Sequence, residues 1–331
     1  MNRKLITGIV AGSVLAVTAA CGGGGDTGSD DAPNPDPEAV EGGYVPVISV
    51  ELANPYWDTE AETARTALEG LGYETDVFQH ENDPQRQNEL IDTAVSQDAV
   101  AIVLDPAGAD ESIGAVQRAT DADIPVFLIN AEINEEGIAL SQIVANNAQG
   151  AAAGAQYFAE RMGGEGTYVE LYGNPTDNNA PVRSTAYEET LAQYTDMELL
   201  QRETANWSRE EGYQAMQNLL TAHPDIDGVL SGNDEMALGA IAAIESAGLT
   251  PGEDILVMGF DGSPDAVAAI EEGKLLGTVL QPIVSATEML VEQLHTYLTE
   301  GETGTDQEKQ AVDCVLITPD NIDRYTTFAL E

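Results

Sequence analysis

Residues 226–240 read IDGVLSGNDEMALGA. A short apolar run ends at Leu230, two small residues follow, and an amide and two acids open a second apolar segment whose spacing is helical rather than alternating. The stretch therefore reads as a buried strand, a tight junction and a buried helix. Two reasons would place polar residues at that junction. Asn233 can cap the helix by accepting from its orphan N–H groups, with Asp234 and Glu235 at the positive end of the helix dipole. Parallel α/β sheets also bind ligands at the carboxyl ends of their strands, so the Asn233 side chain could face a cleft.

The same unit recurs on both sides. VPVISV at 45–50, VAIVL at 100–104 and IPVFLI at 124–129 are each followed by a segment with helical spacing. Helix starts are legible in Asn54-Pro55, an N-cap followed by proline at the first helical position, and in Ser208 with Glu211, a capping-box pattern. Such a βαβ series predicts an α/β fold of parallel sheets covered by helices. The chain has 331 residues, enough for two domains that each bury a core. Residues 44–331 contain no Pro- or Ser-rich linker, so two domains would have to be joined by repeated chain crossings.

Charge narrows the partners. Asp and Glu number 58 against 12 Lys and Arg, a formal net charge of −46. Nucleic acid is excluded, because binding its backbone requires neutralisation by basic residues, and phosphorylated ligands are disfavoured. The acids lie on predicted helices and loops alike, as a solvated acidic surface of the kind a salt-rich habitat favours would have them. Calcium binding is the alternative, but no D-x-D-x-D-G loop occurs.

At the N-terminus, Arg3 and Lys4 precede an uncharged stretch, Leu5 to Ala20, that is too short and too rich in small residues to read as a membrane span. Residues 1–20 are expected to be an export signal. VTAAC at 17–21 resembles the lipobox of bacterial lipoproteins, which makes Cys21 the expected lipidation site; Thr18 stands where that pattern prefers Leu, and simple cleavage after Ala20 is the alternative. Residues 21–43 then form a lipid-anchored acidic tether, GGGGDTGSDDAPNPDPEAVEGG after the cysteine, with almost nothing that could build a core. The second cysteine, Cys314 in AVDCVLI, reads as a small buried residue of a strand, so no disulfide is expected.

Enzymatic motifs are missing. His80, His223 and His295 fall in predicted loops or on a helix face, without metal-ligand partners in spacing, and read as surface residues. The sequence contains no phosphate loop, nucleophile elbow or zinc helix. Gly163, Gly164 and Gly166 fit a turn, not a dinucleotide fingerprint. No catalytic residue, cofactor or metal is expected.

What recurs instead is aromatic and amide residues at the ends of predicted strands. Asn54, Tyr56 and Trp57 follow the first, Asn130 follows PVFLI, Asn179 and Arg183 follow YVELYG, and Trp207 follows ETAN. Asn233, Phe260 with Asp261, and Gln281 complete the series. Flat rings stack on the C–H faces of a sugar, while Asp, Asn, Gln and the fork of Arg hydrogen-bond vicinal hydroxyls. A small, neutral, hydroxyl-rich ligand fits.

From residue 44 onward the chain resembles the bacterial ribose- and galactose-binding proteins, extracytoplasmic receptors of ABC sugar importers. NPYW at 54–57, MQNLLTAHPD at 216–225, NDEMALGA at 233–240, GFDGSPD at 259–265 and TPDN at 318–321 carry the resemblance. It implies the type I periplasmic binding protein fold, two Rossmann-like lobes joined by a three-strand hinge, with 44–145 plus 282–311 in the N-terminal lobe and 146–281 plus 312–331 in the C-terminal lobe. Tyr56 and Trp57 match the first-lobe aromatics and Asn130 the cleft amide. The next position, usually basic in these relatives, is Ala131 followed by Glu132, so one donor is missing. NNAPVRSTAY at 178–187 is similar to the galactose-type relatives and makes Arg183 the hydroxyl-binding guanidinium, with Asn179 or Asp177 beside it. Trp207 matches the second stacking aromatic, Asp261 the carboxylate and Gln281 the amide near a crossing, while Asn233 would both cap its helix and touch ligand.

The resemblance implies a monomeric lipoprotein on the outer face of the cytoplasmic membrane that captures a monosaccharide, a pentose or hexose pyranose, and delivers it to the permease subunits of an ABC importer. A receptor for a cyclitol or signal molecule is the alternative. Sugar-responsive repressors share such lobes but carry a DNA-binding helix pair where this chain has an export signal.

Overall fold

Short β-branched runs and amphipathic segments alternate through the structure, a computed structural model that describes residues 42–330. The expected export signal, Cys21 and nearly all of the tether lie outside these residues. The first run of elements is β1 (Val47–Ser49), α1 (Pro55–Gly70), β2 (Val77–Gln79), α2 (Pro84–Ser96), β3 (Ile102–Leu104), α3 (Ile113–Asp121), β4 (Val126–Asn130) and β5 (Ser141–Ala145). Next come α4 (Asn147–Arg161), β6 (Glu165–Tyr172), α5 (Asn179–Leu191), β7 (Asp196–Thr204), α6 (Arg209–Ala222), β8 (Gly228–Ser231), α7 (Asp234–Ser246), β9 (Leu256–Asp261), α8 (Pro264–Glu271) and β10 (Gly277–Leu280). The chain ends with α9 (Ile283–Glu300), β11 (Lys309–Val312), β12 (Val315–Ile317), β13 (Tyr325–Thr326) and β14 (Ala329–Leu330).

Two six-stranded sheets result, in the orders β11-β5-β4-β3-β1-β2 and β12-β10-β9-β8-β6-β7. Within these two sheets all pairings are parallel except β12 on β10, and β13 and β14 form a separate antiparallel pair. Central strands β3, β4 and β8 are buried along their whole length, as a sheet covered by helices on both faces requires, whereas edge strand β7 alternates between exposed and half-buried residues. The protein is thus two α/β lobes. The chain leaves the first sheet after Ala145, returns to pack α9 on α1, β4 and β5 after Gln281, and crosses again between Val312 and Val315.

Local chemistry explains the helix starts. Asn54, Asp83 and Ser263, all with extended backbone, accept from first-turn N–H groups and each precedes a proline at the first helical position. Ser208 accepts from the Glu211 N–H, but the Glu211 carboxylate turns to Asn206 at 2.7 Å, so only half of the capping box forms. In the stretch that opened the analysis, a Cβ on Gly239 would lie 2.1 Å from the Arg209 carbonyl oxygen, so glycine there lets α7 pack directly on the start of α6. Two expectations change. Cys314 is buried but lies in the crossing between β11 and β12, outside any strand. His80 is fully buried rather than on the surface, because both ring nitrogens find partners in the backbone: Nε2 lies 2.8 Å from the Asp105 carbonyl and Nδ1 accepts from the Asn82 N–H at 3.1 Å.

Candidate functional site

Where the carboxyl ends of both sheets face each other, a cavity of about 260 Å³ is lined by Asn54, Tyr56, Trp57, Asn130, Asp177, Asn179, Arg183, Trp207, Asn233, Asp261 and Gln281. Each of these residues ends a strand or lies in the loop or first two turns of the helix that follows it, as the topology of parallel sheets dictates. The lobes touch across the cleft: Ala109 N–H donates to the Thr176 carbonyl at 2.9 Å, Asn178 Nδ2 to Asn134 Oδ1 at 2.8 Å and Asn179 Nδ2 to the Asn130 carbonyl at 3.2 Å. The cavity is therefore closed over.

Arg183 organises the second-lobe side. Its Nε donates to Asn147 Oδ1 at 2.7 Å, its Nη1 to the Gly232 carbonyl at 2.8 Å, and Nη1 lies 3.5 Å from Asp261 Oδ1. The guanidinium lies over the Phe260 ring at 3.9 Å and reaches 5.2 Å from that of Trp207. Phe260, expected on the cavity, is thus not on its wall; it is the floor on which Arg183 rests. Gln281 Nε2 donates to Asp261 Oδ1 at 2.7 Å. Burial pushes the Asp261 carboxyl well above the usual carboxylate range, with Arg183 opposing that shift and Asp234 adding to it.

Asn233 does cap α7, accepting from the Met236 N–H at 2.9 Å, while its Nδ2 donates to the Trp207 carbonyl at 3.1 Å and ties the Trp207 loop to the helix start. Asp234 is buried and serves the fold, accepting from the Ser263 N–H and the Thr278 hydroxyl at 2.7 Å each. Trp207 fits because Gly173 has no side chain: a Cβ there would lie 2.1 Å from the indole. On the first-lobe side Tyr56 donates its hydroxyl to Asn130 Oδ1 at 3.1 Å, and Ala131 is buried, leaving no basic residue beside Asn130. Glu132 pairs instead with Lys309 at 3.3 Å.

Several features mark the cavity as built for a ligand. Asn130, Trp207 and Asp261 all have positive φ (65°, 66° and 129°), a strain that persists only where the surroundings impose it. Trp57 Nε1 and Gln281 Oε1 are buried without a hydrogen-bond partner, and the Trp207 indole N–H approaches the Asp177 carboxylate without closing a hydrogen bond of good geometry. An unpaired donor on the first-lobe side and an unpaired acceptor on the second-lobe side suit a molecule that offers both, as one with several hydroxyls does.

Asp177, Asn147 and Asp105 are functional neighbours that the sequence reading ranked low or missed. Asp105 follows β3 just as Asn130 closes β4, so its position at a strand end was a usable signal. Asn147, which opens α4 two residues after β5 ends, carries the same mark, but its hold on Arg183 depends on α5 folding back over the start of α4.

The periplasmic binding protein domain family matches residues 45–303. Two curated relatives, both D-apiose import binding proteins, are 44% identical: that of Paraburkholderia graminis over 286 residues (86% of this chain and 90% of the relative), and that of Actinobacillus succinogenes over 294 residues (88% and 93%). Among solved structures, a galactofuranose binding protein superposes with a TM-score of 0.80 at 24% identity, covering 85% of this chain and 96% of its own, a likeness of fold.

Proposed function

This chain belongs to the periplasmic binding protein family, and on that premise we propose that the cavity between its lobes captures one neutral monosaccharide. The protein is a sugar-binding component of an ABC importer, handing its ligand to membrane permease subunits, and not an enzyme. The observation that carries the choice of ligand is the wall itself: flat indoles, one guanidinium and an unpaired buried donor and acceptor around about 260 Å³. Asp177 and Asp261 outnumber Arg183 on the wall, which disfavours an anionic ligand. In this reading Trp57 and Trp207 cover the sugar's faces, and Asn54, Tyr56, Asn130, Asn179, Arg183, Asn233, Asp261 and Gln281 meet its hydroxyls, with Phe260 supporting Arg183.

The 44% identical relatives make D-apiose the first probe. Apiose closes only to five-membered rings, so a panel of D-apiose, D-ribose, D-xylose, D-galactose and myo-inositol separates a furanose from the expected pyranose. Titration calorimetry should give one site for at least one sugar; no heat with any of them would refute the reading. The lobe division near residues 145, 281 and 312, a monomeric state and a lipid anchor at Cys21 on the outer face of the cytoplasmic membrane complete the proposal. Mass spectrometry of the membrane-bound protein should find diacylglyceryl on an N-terminal Cys21, and an unlipidated N-terminus there would remove the anchor.

A further inference from the structure

Behind the first-lobe wall two carboxyls lie together without a cation. Glu60, one turn of α1 beyond Tyr56, and Asp105, just after β3, are each 1% exposed. Ser49 Oγ donates to Glu60 Oε1 at 3.4 Å, and Asn130 Nδ2 donates to Asp105 Oδ2 at 2.8 Å. The carboxyls lie within hydrogen-bonding reach of one another, and Glu60 Oε2 meets no donor. The other groups that face them are the Tyr56 phenol, the Asp177 carboxylate and His80, whose Nε2 meets the Asp105 backbone carbonyl. Among the described residues no ion pair reaches either acid.

Two buried carboxyls at this separation cannot both ionise, because each would lose its hydration and repel the other with no counter-charge to compensate. One proton between them removes both problems. We propose that Glu60 and Asp105 hold one shared proton and act as positioning residues that set the direction of the hydrogen bonds on the first-lobe wall of the cavity.

The direction follows step by step. Asp105 Oδ2, accepting from Asn130, fixes the Asn130 amide with its Nδ2 inward and its Oδ1 toward Tyr56. Tyr56 must then donate to that oxygen. The phenol has one proton and has used it, so the lone pairs left on Tyr56 and on Asn130 Oδ1 are acceptors. A ligand oxygen that meets Tyr56 or Asn130 must donate its O–H there, while Trp57 Nε1 on the same side and Arg183 opposite supply donors to the ligand's other oxygens. Burial pushes the Glu60 carboxyl up to about 8 and the Asp105 carboxyl well above its usual range, in line with a proton held through neutral pH. Its loss at higher pH would leave two negative charges beside Asn130.

The inference rests on the sugar reading for its ligand but not for its first test. In ligand-free protein, the side-chain amide resonances of Asn130 should move with pH in one step near pH 8, and in Glu60→Gln they should not. D-Apiose, together with whichever panel sugar binds, is then titrated from pH 7 to about pH 9.5. Wild-type affinity should fall about tenfold, the effect of one pK unit of coupling, whereas Glu60→Gln, a few-fold weaker at pH 7, should give a flat profile. The double variant Glu60→Gln/Asp105→Asn, which leaves no titratable carboxyl in the pair, is the second check and should also be flat. An Asn130 amide that ignores pH in the wild type, or a Glu60→Gln profile as steep as the wild type's, would overturn the proposal. A titrating Asn130 with no sugar bound would sink the sugar reading and leave the carboxyl pair standing.

Discussion

The guanidinium carbon of Arg183 lies 3.9 Å above the ring of Phe260, so the aromatic face that the sequence offered to a ligand is occupied by a cation. Phe260 thereby fixes the plane of the fork, while Asn147 and Gly232 fix its rotation. A lysine keeps the charge but has no planar fork to stack or to bridge two acceptors.

Arg183→Lys should therefore weaken sugar binding by about 2–3 kcal/mol, the scale of a charge-assisted hydrogen bond, or on the order of a hundredfold. Arg183→Ala removes the partner of Asp261 as well and should cost about 3–5 kcal/mol of stability at neutral pH. Sign decides the pH test. Asp261, already held above its usual range by burial, loses the stronger of the two groups that opposed the shift, since Arg183 goes and the Gln281 hydrogen bond remains. A raised folded pKa gives stability that is present below the unfolded value and lost as pH rises. Calorimetry should thus show a deficit in melting temperature that is constant at acid pH and widens once pH passes the point where the wild-type Asp261 begins to ionise; a deficit that stays equal up to alkaline pH would mean that Asp261 is not the cause.

Gly173→Ala tests the seat of Trp207. Its Cβ would have to displace the indole, at a cost of about 1–3 kcal/mol for overpacking. Sugar affinity should fall about tenfold or more as the stacking face moves, and intrinsic tryptophan emission of the ligand-free protein should change with it. A variant with wild-type emission and affinity would show that Trp207 is not held where the cavity needs it.

The fold was legible because its signals are local. Strand runs and caps such as Asn54 and Ser208 act within a few residues of where they are read. The cavity wall was legible for the same reason, since parallel topology sends every strand-end residue to one edge, and Asn54, Trp57, Asn130, Asn233 and Gln281 do line one cavity. What escaped was pairing over distance. That Phe260 lies beneath Arg183, that Asn147 holds its Nε, and that His80 and Glu60 converge on Asp105 all depend on how helices fold back over the sheet, which periodicity does not specify.

His80 gives a separable pH signature. Burial lowers its imidazole from 6.5 to about 4, and both ring nitrogens are engaged as a neutral ring requires. A depressed folded pKa means that the unfolded chain takes up the proton first, so the contribution is present above pH 6.5 and lost as pH falls through about 4, worth roughly 3 kcal/mol. The wild type should lose melting temperature more steeply between pH 7 and 4 than His80→Gln does. Parallel curves would place the acid sensitivity in other groups.

The C-terminal hairpin ties the two lobes beside the cavity. Tyr325 donates its hydroxyl to the Gly262 carbonyl at 2.8 Å, next to Asp261, and accepts from the Phe328 N–H at 3.2 Å. Phe328, 1% exposed, then meets the Tyr56 ring edge-on at 5.7 Å and 78°. Tyr56 is the residue that aims at Asn130, so the tail holds a cavity residue of one lobe against a cavity loop of the other. Phe328→Ala should cost about 3–5 kcal/mol of stability, as for other buried aromatic deletions, and should also weaken sugar binding, because Tyr56 loses the contact that fixes its ring. Tyr325→Phe keeps the packing and removes the hydroxyl, so it should cost about 1–3 kcal/mol for the stranded Gly262 carbonyl. Urea melts and calorimetric titration of both variants give the check: full sugar affinity in Phe328→Ala, once folded, would reduce the hairpin to a purely structural clasp.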